Sequence, residues 1–131
     1  MFQKTLLLVV SLSLNCNANS IMFTDAANRE ITLSKPAEKI AILYNYTDYA
    51  AVAGNECFER VVGIGKKAWH GWRNGIWNHY VEACPEIEKI ADIGIFRYGD
   101  FYMEQAIALA PEVIILPMWQ YEAVSDVQKN N

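Results

Sequence analysis

The chain of 131 residues carries 11 Lys and Arg against 15 Asp and Glu, a formal net charge of −4. Its only adjacent basic pair is Lys66-Lys67, so it has no polyanion footprint, and nucleic acid is excluded as a partner class. A hydrophobic fraction of 53% supports a real core, and the length remaining after a leader, about 110 residues, suits one domain and a monomer.

The leader comes first. Met1 to Leu14 holds one cation, Lys4, followed by the apolar run Thr5 to Val10 that continues through Leu12 and Leu14. That run is shorter than the roughly 20 residues a membrane span needs and matches a signal-peptide core. Small residues follow, with Ala18 or Ser20 before the cleavage point, so residues 1–20 read as a signal peptide and 21–131 as a periplasmic or secreted chain. Cys16 raises a lipid-anchored form, although Asn15 stands where lipoprotein processing wants a small side chain. No second apolar run approaches spanning length.

Phe23 to Leu33 alternates around Ala26-Ala-Asn-Arg29, where Asn28 tolerates the left-handed backbone of a tight turn, and predicts a β-hairpin ended by Pro36. Lys39 to Tyr44 is a short continuous apolar run of the kind buried on both faces of a parallel sheet. A helix is expected from a cap at Thr47, with Asp48 in its first turn, to a stop at Gly54. Val61 to Ile64 is the next strand. Lys66 to Cys84 is dense in aromatics and should contain one helix, whose Trp72, Ile76 and Tyr80 recur at i, i+4 and i+8 and are expected to pack on the sheet. From Ala91 the pattern repeats as strand, loop, helix from about Phe101 to Ala110, a stop at Pro111 and a strand over Val113 to Leu116. Strands alternating with helices through short connections predict an α/β fold: an N-terminal β-hairpin followed by a doubly wound parallel sheet with right-handed crossovers.

Two cysteines remain beyond the leader, Cys57 and Cys84, and a secreted chain meets an oxidising compartment, so a bridge between them is expected. Closing that loop would contribute roughly 3–4 kcal/mol in the chain-entropy model.

A parallel sheet of this kind gathers its strand-end loops on one rim, here Tyr44 to Tyr46, Lys66 to Arg73, Ile95 to Tyr98 and Pro117 to Tyr121. The candidate ligand-binding residues are Tyr44, Trp69, His70, Arg73, Arg97, Tyr98 and Trp119. Aromatic faces offer stiff contact area to a planar or greasy chelate, and guanidinium groups fork onto carboxylate or catecholate oxygens. An anionic metal chelate suits both, as a ligand rather than a resident cofactor; His70 ligating a metal directly is the alternative. Catalysis is not expected, because the chain has no nucleophile elbow, no glycine-rich phosphate loop and no His-Glu-x-x-His.

Glu104-Gln-Ala-Ile-Ala-Leu-Ala-Pro-Glu-Val-Ile-Ile resembles the "LE-x-I-x-AL-x-PD-L-V-I" signature of periplasmic substrate-binding proteins that feed ABC importers with iron chelates, haem or cobalamin. Two further landmarks stand in the same order, Phe23-Thr-Asp-Ala-Ala-Asn-Arg-Glu-Ile-Thr-Leu33 with Lys39-Ile-Ala-Ile-Leu43, and Arg60-Val-Val-Gly-Ile-Gly65. The resemblance implies the N-terminal lobe of a two-lobe receptor, here without its C-terminal lobe, that captures an iron-siderophore or similar metal chelate and delivers it to an inner-membrane ABC permease. It also implies that Glu104 makes a salt bridge to permease arginines. The chain departs from the pattern at Ala110, where the family often has lysine, and at Asn28, where it usually has glycine. The alternatives are a nickel, cobalamin or haem receptor of the same family, or a secreted protein-interaction module whose aromatic rim meets a protein partner.

Overall fold

The hairpin is built on one carboxylate. Asp25 Oδ1 accepts the backbone N–H groups of Ala27 and Arg29, each at 2.9 Å, while Oδ2 accepts Arg29 Nε at 2.7 Å, and Asn28 takes a left-handed φ of 59°. This side-chain-stabilised turn joins β1 (Ile21–Thr24) to β2 (Glu30–Leu33), paired antiparallel from Ile21 opposite Leu33 to Thr24 opposite Glu30. The computed structural model describes residues 20–54, 56–96 and 100–123. The expected leader and Cys16 lie outside the described residues.

The Asp25 turn makes the hairpin acid-sensitive. Backbone and then side-chain hydrogen bonds from Arg29 hold the Asp25 carboxyl below its ordinary value of 3.8. A carboxyl depressed in the folded state contributes stability that is complete above the unfolded value and lost as pH falls through the folded one. Protection of the β1 and β2 amides from hydrogen exchange, relative to the intrinsic rate at each pH, should therefore fall below about pH 4, and Asp25→Asn, which keeps an acceptor but no titration, should flatten that profile. An unchanged profile in the variant would assign the acid response elsewhere.

A second sheet follows, composed of β3 (Ile40–Ile42), β4 (Val61–Ile64), β5 (Ala91–Asp92) and β6 (Val113–Ile115) in the spatial order β5-β4-β3-β6, all parallel. Helix α1 (Tyr46–Ala53) connects β3 to β4, and α2 (Asn74–Ala83) with a 3-10 turn over Pro85–Lys89 connects β4 to β5. Helix α3 (Met103–Leu109) then returns the chain past β3 to β6. Because crossovers are right-handed, reversing direction along the sheet moves the helix to the other face. The packing agrees: Ile40, Ile42, Ile64 and Ile115 meet Tyr46, Trp77 and Tyr80 in one core, while Ala41, Leu43, Ile93 and Ile114 meet Ala106 and Leu109 in the other. Strand alternation alone assigns neighbours to opposite cores, and each fully buried Ile or Leu contributes about 1.5–3 kcal/mol.

Element ends differ slightly from the sequence reading. Helix α1 starts at Tyr46, whose ring is buried, with Asn45 as its flanking residue, which makes no side-chain cap, rather than from a cap at Thr47. It stops at Gly54, at φ 81°, as expected. Helix α3 is shorter than expected and closes on Ala110 in the left-handed region, at φ 48°, before Pro111 ends it.

Candidate functional site

The order in which the strands lie defines where a site belongs. The chain moves from β3 outward to β4 and β5, then jumps back to the other side of β3, so the direction reverses between β3 and β6. At such a switch point the connections leave the two carboxyl ends in opposite directions and open a crevice. Tyr44 follows β3 and Trp119, in a 3-10 turn over Met118–Ala123, follows β6; their rings meet edge-on at 5.4 Å. Trp72 meets the Tyr44 ring edge-on at 6.1 Å from the β4 side, and the Arg73 guanidinium lies over that ring at 5.0 Å. Three side chains, Trp72 and Arg73 from the connection after β4 and Trp119 from the one after β6, thus converge on Tyr44. Trp72 and Trp119 remain 43% and 54% exposed.

Backbone ties hold these connections. Asp92 Oδ1 accepts the N–H groups of Lys66 and Gly94, both at 3.0 Å, which joins the ends of β4 and β5. Lys67 pairs with Asp100 across the same rim, and Phe96 stacks on Phe101 at 4.0 Å at the base of the intervening loop. Arg97 and Tyr98, two of the expected ligand-binding residues, lie outside the described residues.

The aromatic segment after β4 corrects the sequence reading. Its one α-helix, α2, is present as expected but begins only at Asn74: Lys67–Gly71 is a π-helical turn, and Trp72 and Arg73 leave it. The wider turn rotates the side chains out of the register of a continuous α-helix. Trp69, expected on the rim, is 0% exposed, stacked on Tyr46 at 3.9 Å and edge-on to Trp77 and Phe58. Trp72, expected in the core, stands on the rim, and Ile76 is exposed as well; only Tyr80 of that stripe packs against the core cluster. Trp72 is the residue sequence reasoning missed, and its signal was Gly71 with Asn74, both weak helix formers, on either side of it.

His70 is solvent-exposed, with its ring edge-on to Trp77 at 6.0 Å. Among the described residues no three His, Cys, Asp or Glu side chains converge as a metal site. Glu104 is exposed in the first turn of α3. The expected Cys57–Cys84 bridge is not formed: both are free thiols that approach one apolar cluster from different elements, Cys57 from the turn before β4 and Cys84 from the end of α2. Burial pushes the Cys57 thiol up, away from thiolate character. No described helix is long and apolar enough to cross a membrane.

No protein-family model and no curated protein matches the chain. Solved structures do. The TroA-like periplasmic binding protein FepB from Veillonella parvula superposes with a TM-score of 0.76 at 28% identity, covering 83% of this chain and 33% of that one. CeuE of Helicobacter pylori, solved as a Ni-His complex, superposes with a TM-score of 0.64 at 20% identity, covering 84% of this chain and 33% of its own. The chain spans about a third of the length of the solved proteins it is similar to. Its α/β fold is that of one lobe of the TroA-like periplasmic binding protein.

Proposed function

We propose that this chain, a TroA-like lobe by fold, is the N-terminal lobe of an ABC-importer substrate-binding protein that captures an iron-siderophore or similar anionic metal chelate in the periplasm. The observation that carries this reading is the convergence of Trp72, Trp119 and Arg73 on Tyr44 at the switch point of the sheet. Exposed aromatic rings supply contact area with little rotamer entropy to lose, and a guanidinium already held over one ring meets an anionic oxygen without reorganisation. The reaction is binding and release alone. Glu104, exposed on α3, is the residue we assign to the permease, where a carboxylate would meet a cationic surface. In this reading the other two thirds of a full-length receptor supply the facing wall of the cleft.

Tryptophan fluorescence tests it. A ferric catecholate and a ferric hydroxamate, titrated into the protein secreted from its own locus, are expected to quench emission saturably for at least one of them at unchanged protein mass. Tyr44→Ala and Trp119→Ala are each expected to weaken that affinity at least about tenfold, the range of a buried aromatic anchor. Absence of quenching by either chelate, or affinity untouched in both variants, would overturn the assignment. A mass increase with a protein partner and no chelate response would mark the rim as a protein interface.

A further inference from the structure

Strand β6 carries no apolar pattern that fixes where it lies along β3. Val113-Ile-Ile-Leu116 is apolar at every position; Ile115 packs in the core that holds Ile40 and Ile42, and Ile114 and Leu116 pack in the core that holds Ala41 and Leu43. A slip of one residue reverses the two faces of a strand, and polar alternation is what ordinarily forbids it. In β6 the slip that sets Ile114, Ile115 and Leu116 against β3, in place of Val113, Ile114 and Ile115, delivers apolar side chains to both cores again. The ladder is equally indifferent, because every peptide unit offers the same donor and acceptor. The opposite slip is closed, since it would seat the Glu112 carboxylate beside Ile40 in the strand pair.

The polar contact that separates the two apolar registers stands at the amino end of β6. Glu112 Oε2 accepts the backbone N–H of Glu38 at 2.6 Å and, more loosely at 3.4 Å, that of Lys39, while the Glu112 N–H donates to the Lys39 carbonyl at 2.9 Å. Glu112 therefore grips the two residues that precede β3, next to the first register pair, Ile40 with Val113. The Glu38 and Lys39 N–H groups hold its carboxyl below the ordinary 4.5, and the Lys35 and Lys39 charges add to this. The group is thus ionised at neutral pH, where charge-assisted bonds are about twice as strong as neutral ones. The open slip would draw Glu112 back by about 3.3 Å, away from both donors. It would also withdraw Trp119 from the Tyr44 ring, which it now meets at 5.4 Å.

We infer that the Glu112 carboxylate is a register pin, a positioning residue that selects one of two apolar-equivalent pairings of β6 with β3 and so sets Trp119 against Tyr44. It acts through the strand, from the end opposite the rim. The pin is independent of what the rim binds, whereas its effect on affinity rests on the rim reading.

Cross-strand contacts in nuclear Overhauser spectra test it. The unaltered protein is expected to show Ile40 against Val113, Ala41 against Ile114 and a Tyr44–Trp119 ring cross-peak. Glu112→Gln, which keeps an acceptor oxygen without the charge, should add a minor Ile40–Ile114 and Ala41–Ile115 pairing. Glu112→Ala should make that pairing dominant and lose the ring cross-peak. The Gly63–Ala91 pairing of β4 with β5 should persist in both, which separates a slipped strand from a protein that is merely less stable. Chelate affinity in Glu112→Ala should fall as it does in Trp119→Ala, by at least about tenfold, with most of it restored in Glu112→Gln. The original pairing with the ring cross-peak intact in both variants overturns the pin, whatever their melting temperatures; if Glu112→Ala does not fold, Glu112→Gln decides by the same criterion. A protein quenched by a chelate whose variants keep the original pairing loses the pin and retains the rim reading. Variants that slip in a protein that ignores both chelates retain the pin and lose the rim reading.

Discussion

Trp69→Ala is expected to lower the unfolding free energy by about 3–5 kcal/mol, whereas Trp72→Ala, three residues on, should change it by less than about 1 kcal/mol. Trp69 has no exposed surface and touches Tyr46, Phe58 and Trp77, so its removal opens a cavity that three rings from different elements cannot close together. Trp72 already presents 43% of its surface to water and leans on Tyr44 by one edge. Binding should invert the ranking, with chelate affinity falling in Trp72→Ala while the fold survives. Urea unfolding of the two variants, read as midpoints with a common slope, checks the first half, and fluorescence titration checks the second. Equal stability losses would mean that Trp72 belongs to the core, as its i, i+4, i+8 spacing with Ile76 and Tyr80 had suggested.

Gly65→Ala is the second substitution expected to be severe, at about 3 kcal/mol, near the upper end of overpacking costs. A Cβ at Gly65 would stand 2.5 Å from the Leu43 carbonyl oxygen, 2.6 Å from an Ile95 methyl and 2.8 Å from the Gly94 carbonyl oxygen. Two of those atoms are backbone, at the ends of neighbouring strands, so relief requires β3, β4 and β5 to separate where Gly65 N–H bonds the Ile42 carbonyl at 3.1 Å. Tyr44 and the Lys66–Arg73 connection hang from those ends, so the rim should lose ligand affinity along with stability. Gly75→Ala in α2 is the control: a Cβ there meets nothing within 4 Å and should stabilise by roughly 0.5–1 kcal/mol through the unfolded chain. A melting-temperature comparison decides it, and a Gly65→Ala protein as stable as the parent would show that the strand ends yield.

The parts of this protein that were legible in the sequence are those governed by short-range physics. The turn at Asn28, the end of α1 at Gly54, strand β4 and the stop at Pro111 each follow from the backbone freedom of one residue or the continuity of a four-residue apolar run. The α/β class followed from their alternation. The aromatic segment was misread in one respect, because periodicity assumes a uniform turn. The π-helical turn at Lys67–Gly71 adds a residue per turn, and that single irregularity exchanges Trp69 and Trp72 between rim and core. That the buried Tyr46 hydroxyl has no hydrogen-bond partner was equally hidden, since satisfaction of a polar group depends on every neighbour that fails to reach it.

The sequence by itself determined that the chain is an α/β lobe whose strand-end loops are rich in tyrosine, tryptophan and arginine, because composition and alternation are local properties of the chain. Only the tertiary structure decided that β6 pairs with β3 rather than with β5, since either pairing satisfies the same apolar strand. That choice brings Trp119 across to Tyr44, from 75 residues away in the chain, and makes a site from loops that local patterning leaves unconnected.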